Sequence, residues 1–282
     1  MRGLGDASEY VMQVVRDFGF DPSQSSRLAQ MRNLLRRGFI RETDRDFHLA
    51  CEALRDITLL EFIFDQLKGN IPDACLRGKV ERVVKDSPLP EDDRKSTPGR
   101  NVQAELHVAA VCQAAGLKPR LDEPDVVVES HGQVCGLAVK RFRSLKRLRE
   151  HFTKATRQIE NAGIPGFVVL DMVLAANPEN QRLTAVLTDH EFRRLESGRF
   201  DQFLRDRIND FIAWRKGREV RGVILLDHVV CPRDSDRHWE LRSWSEFADL
   251  DPYNDSRRKE AHRFWKEYRK GLLNPMNHPQ IP

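Results

Sequence analysis

The sequence predicts an α/β protein, a mixed sheet flanked by helices and preceded by an all-α N-terminal domain. Three observations carry this. Two short runs, 166–172 (Gly-Phe-Val-Val-Leu-Asp-Met) and 220–226 (Val-Arg-Gly-Val-Ile-Leu-Leu), are apolar enough for strands covered on both faces. After residue 100, helical patterns alternate with these runs, as layered α/β domains require. Before residue 86, every periodic segment has helical spacing.

In the N-terminal part, Asp6 or Ser8 can cap a first helix running to about Phe18, and Pro22 opens a second with Leu28, Met31, Leu34 and Leu35 on one face. A third, from about Thr43, aligns Phe47, Cys51, Leu54 and Ile57, and the block 59–64 either continues it or starts a fourth. Such stripes are the core of a small bundle. Residues 87–99 hold three prolines and mixed charge, so they form a linker and mark a domain boundary. The chain therefore divides into a helical domain at 1–86, a linker at 87–99, an α/β domain at 100–250, and a C-terminal helix with a loose tail at 251–282.

The α/β domain opens with a helix over 101–115, stopped by Gly116. A β-hairpin follows, Asp125–Glu129 and Val134–Arg141, joined through Ser130-His131-Gly132-Gln133. A helix over 144–162 is closed by Gly163 and Pro165 and leads into the first buried strand. A long helix over 189–215, with Gly198 as a candidate break, precedes the second. Residues 237–244 add an edge strand, and a charged helix covers 256–272.

Composition narrows the function. The net charge is +4, from 47 basic and 43 acidic residues, so any polyanion partner must be met by local clustering. Five widely spaced cysteines without a CxxC pair read as small core residues in a reducing compartment, not as a zinc site. The histidines show no ligand spacing and read mostly as surface residues, and the four tryptophans read as core or edge packing. No apolar run approaches the roughly 20 residues of a membrane span. The expectation is a soluble, cytoplasmic protein.

The hairpin carries the chemistry. Asp125 opens one strand and Lys140 closes its neighbour, bringing a carboxylate and an ammonium together. That is what phosphodiester hydrolysis needs: oxygen ligands for a hard divalent cation, and an ammonium to orient water or offset phosphate charge. Glu105 lies on an otherwise apolar helix face with Val102, Ala109 and Cys112, where a carboxylate is costly without a cation or hydrogen bonds. A glutamate at the stripe's edge, reaching solvent, is the plainer reading of that residue.

Asn101-Val102-Gln103-Ala104-Glu105-Leu106, Pro124-Asp125 and Ala138-Val139-Lys140-Arg141 together resemble the PD-(D/E)XK nuclease superfamily over roughly residues 100–175. The resemblance implies a restriction-endonuclease-like fold and a DNA-cleaving, Mg²⁺- or Mn²⁺-dependent activity. It matches Glu105 to the first-helix acid, Asp125 to the metal-binding acid, Lys140 to the motif lysine and Gln158 to an accessory glutamine. The main-chain carbonyl of Val139 would be a further ligand. At the second acidic position stands Ala138, which cannot bind metal. Either another acid serves, with Glu105 better placed than Glu129, or the fold only binds nucleic acid, or the alanine is an introduced lesion. Glu129 lies too far along the strand from Asp125 to share one ion, and reads as a surface acid.

Lys140, Arg141, Arg143, Lys146, Arg147, Arg149, Lys154 and Arg157 face a single acid, Glu150, over 140–157. The apolar stripe of Leu145, Leu148, Phe152, Ala155 and Ile159 would turn these charges outward, as a nucleic-acid contact beside the site. A solvated basic helix face is the plainer alternative. DNA is the expected partner, with RNA and a homodimer left open.

Overall fold

The computed structural model describes residues 4–37, 47–86, 98–175, 188–232, 239–252 and 255–273. Four helices come first: α1 (Leu4–Asp17), α2 (Arg27–Arg36), α3 (Phe47–Leu67) and α4 (Asp73–Val83). Ser26 caps α2 by accepting from Ala29 N–H. The block 59–64 continues α3, and Pro72 restarts the chain as α4. The expected linker falls mostly on 87–97, outside the described residues.

Next comes α5 (Pro98–Ala114), which begins three residues before the expected start. The reason lies upstream. The Asp86 carboxylate accepts from the N–H groups of Gly99 (3.0 Å) and Arg100 (2.6 Å), capping the helix, and proline suits its first turn. Gly116 then takes φ +81°.

Strands β1 (Val126–Ser130) and β2 (Gln133–Arg141) pair antiparallel, with Ser130 opposite Gln133. His131 and Gly132 both have positive φ, 52° and 75°, the geometry of a two-residue hairpin turn matched to strand twist. A 3₁₀ turn (Leu145–Arg147), capped by Ser144, leads into α6 (Leu148–Ala162). After it come β3 (Gly166–Asp171), α7 (Asp189–Trp214), β4 (Val220–Pro232), β5 (Trp239–Asp249) and α8 (Ser256–Leu273). Helix α7 runs unbroken through Gly198, started by a capping box of Thr188 and Glu191.

The sheet has the order β1-β2-β3-β4-β5. Its three central strands are parallel, and β1 and β5 are antiparallel edges. Helices cover both faces. Ala138, Val168, Leu170, Val223 and Leu225 pack against α6 and α7 on one face. Leu137, Val139, Val169 and Ile224 point the other way, into a cluster that runs through α5, α8 and the N-terminal helices. The N-terminal helices thus share one hydrophobic cluster with the sheet, through α3 and α5.

Beneath that second face lies a buried ionic cluster. Arg27 and Asp56 form an ion pair, and Arg27 donates to Gln103 Oε1 (2.6 Å). Arg55 bridges Glu52 and Asp56, and Arg100 lies 3.9 Å from Asp56. Burial works against the charge of Asp56, but the surrounding arginines outweigh it and hold the carboxyl far below its ordinary range.

Candidate active site

The site forms at a corner of the sheet, where β1 begins between α5 on one face and α6 on the other. Gly136 permits it. A β-carbon there would meet Pro124 Cδ at 2.7 Å, so only glycine lets Pro124 lie over β2 and set Asp125 beside it.

Asp125 Oδ2 accepts from Val139 N–H (2.7 Å) and from Lys140 Nζ (3.0 Å). Lys140 Nζ also donates to the Val139 carbonyl at 2.9 Å. An ammonium has three donors; the third meets no partner among the described residues. From α6, Gln158 Nε2 donates to Pro124 O (3.1 Å) and makes a long contact to Asp125 Oδ1 (3.4 Å). Its Oε1 is buried and unpartnered. Asp125, Lys140, Gln158 and the Val139 backbone therefore meet at one point.

Glu105 stands apart from that hydrogen-bond set. It does not reach solvent freely; among the described residues its partner is Lys79 of α4, with which it forms an ion pair. Burial raises the Asp125 pKa, Lys140 pulls it down, and the charge of Glu105 adds to the rise. The two carboxylates therefore feel each other. Lys79 escaped the sequence reading, because an isolated lysine in a short amphipathic helix carries no signal for a partner 26 residues away.

Ala138 is fully buried in the cluster that holds Phe152, Ala155 and Val168, so its position faces α6. Glu129 is exposed. Among the described residues, no three His, Cys, Asp or Glu side chains are grouped to hold a metal. The acceptors gathered there are all oxygen: Asp125 Oδ2 and the Val139 carbonyl meet at Lys140 Nζ, the charge of Glu105 is felt at Asp125, and Gln158 brings a buried, unpartnered Oε1 on the same side chain that touches Asp125. That chemistry fits Mg²⁺ or Mn²⁺, which keep several waters and need few protein ligands.

On the basic segment, Arg143, Lys146, Arg147, Arg149, Lys154 and Arg157 are exposed. Glu150 pairs with Arg147 (2.9 Å) and Lys154 (2.7 Å), which tempers the charge of that face. Arg141, expected among these charges, is buried instead. It alternates to the opposite face of β2 and lies 3.7 Å from Asp171, and burial lowers its pKa.

Two histidines expected at the surface are also buried: His107 of α5 and His228 of β4 stack edge-on at 4.6 Å. Burial lowers both, His228 to about 3. Four of the five cysteines are buried. None of the described helices is long and apolar enough to cross a membrane. Comparisons with protein-family models, with curated proteins and with solved structures find no match.

Proposed function

We propose that the protein is a metal-dependent nuclease of the PD-(D/E)XK kind, hydrolysing phosphodiester bonds of DNA at the Asp125–Lys140 corner. The observation that carries this is the joint engagement of Asp125, Lys140 and Val139 at the mouth of the hairpin, with one lysine donor left over. Asp125 and Glu105 would hold Mg²⁺ or Mn²⁺, with the Val139 carbonyl or Gln158 Oε1 completing the protein's share. The bound cation would activate water and offset charge on the phosphate oxygens. Lys140 is braced by two acceptors, so its free N–H can fix a water or a phosphate oxygen with little loss of freedom. Gln158 ties the Pro124–Asp125 peptide to α6 and keeps the carboxylate in place. The exposed arginines and lysines of 143–157 would bind backbone phosphates without reading sequence.

A second reading has one observation in its favour. Both carboxylates are already matched by lysines, and Ala138 offers no ligand, as in a fold that binds nucleic acid without cutting it. Incubation of the chain with plasmid, linear duplex and single-stranded DNA, and with RNA, under Mg²⁺ or Mn²⁺ separates the two. The nuclease reading expects cleavage that Lys140→Ala reduces at least about a hundredfold, the scale of one electrostatic stabiliser. Binding without cleavage under either metal supports the second reading, and cleavage untouched by Lys140→Ala removes the mechanism.

A further inference from the structure

Lys79 is supplied from outside the α5–hairpin–α6 unit, by α4, and its ammonium rests on Glu105 Oε2. With Lys140 on Asp125, the corner holds two carboxylates and two ammonium groups, and their charges cancel. We propose that Lys79 is a tethered cation that occupies Glu105 in place of a metal ion, and that it leaves Glu105 when the two carboxylates come to share one. This rests on the nuclease reading.

Two features carry the proposal. Both ion pairs are sheltered: Lys79 and Glu105 keep 24% and 16% of their side-chain exposure, Lys140 and Asp125 17% and 12%. Charges so placed are screened weakly by salt, and a second cation beside the lysine ammonium is repelled. Lys79 is also the more exposed partner of its pair, so its head has a route to solvent. A lysine head on a flexible four-carbon stem can swing to solvent while α4 keeps its position. Lys79 thereby sets the metal concentration at which the site loads, and it links loading to the N-terminal helices.

The test is Mn²⁺ affinity by electron paramagnetic resonance on the full chain without DNA. Lys79→Met and Lys79→Gln remove the charge, and the glutamine keeps a hydrogen bond to Glu105 should the methionine variant fold poorly. Both are expected to bind Mn²⁺ at least about tenfold more tightly than wild type. Lys79→Arg keeps the charge and should retain wild-type affinity, and adding Asp125→Asn to Lys79→Gln should abolish binding. Wild-type affinity, or weaker, in both uncharged variants overturns the latch and leaves the metal site standing. No Mn²⁺ binding by any of these chains removes the metal site and the latch together.

Discussion

Three arginines, Arg27, Arg55 and Arg100, converge on one residue, Asp56, buried at the join of α2, α3 and α5. Removing one partner of a buried ion pair leaves the others uncompensated, a cost of about 3–5 kcal/mol. Asp56→Ala is therefore expected to lower the urea midpoint severely, and Asp56→Asn nearly as much. A small shift in both would show that the cluster contributes little. Glu196 gives a second residue-scale prediction. It shares Arg199 with Asp227, and burial pushes its carboxyl up to about 7 from the ordinary 4.5. Between those values the folded chain binds more protons than the unfolded one, so this group's contribution to stability falls as pH rises through about 5 to 7. Glu196→Gln cannot titrate. Its stability relative to wild type should rise across that window in melting curves at a series of pH values, and a constant difference would contradict the assignment.

Single elements were legible where one physical rule dominated. The hairpin follows from alternation and a Gly-containing turn, and β3 from its continuous apolar run. Strand β4 runs past the expected end at Leu226, through the polar pair Asp227 and His228. In the fold they are buried and satisfied: Asp227 by Arg199, and His228 by Ser243 Oγ at 2.8 Å and the His107 ring. A polar residue whose partner lies on another element reads as an element's end. The same blindness hid Lys79 and turned Arg141 outward. Asp125 and Lys140 were legible because strand pairing places them locally, whereas Gln158 was pointed to by the resemblance alone. The closed position of Ala138 makes an element-scale prediction. Ala138→Glu puts a carboxylate into the α6-facing cluster, and the variant should lose about 2 kcal/mol or more in urea. Mn²⁺ should restore part of that loss if the new carboxylate reaches the Asp125 corner, and should leave it unchanged if it stays in the apolar cluster.

At the scale of the whole molecule, the sheet is held between two hydrophobic clusters, and charged hubs tie its far elements. Asp251, just past β5, lies 3.0 Å from Arg215 after α7, 3.7 Å from Arg257 of α8 and 4.0 Å from Arg221 of β4. The Asp125–Lys140 corner draws on helices from both faces, and Lys79 of α4 pairs with Glu105 beside it, so the N-terminal helices belong to that corner's energetics. The basic face of 143–157 is exposed and adjoins the corner through α6. Neutralising Arg147, Arg149 and Lys154 should weaken DNA binding and flatten its salt dependence, with log affinity against log salt losing up to about three units of slope. An unchanged slope would place the DNA elsewhere.

The most direct measurement is an anomalous difference map from crystals soaked in Mn²⁺. The nuclease account predicts one peak at the hairpin corner, about 2.1 Å from oxygens of Asp125 and Glu105, with the Lys79 head withdrawn from Glu105. A map without a peak at that corner would contradict it.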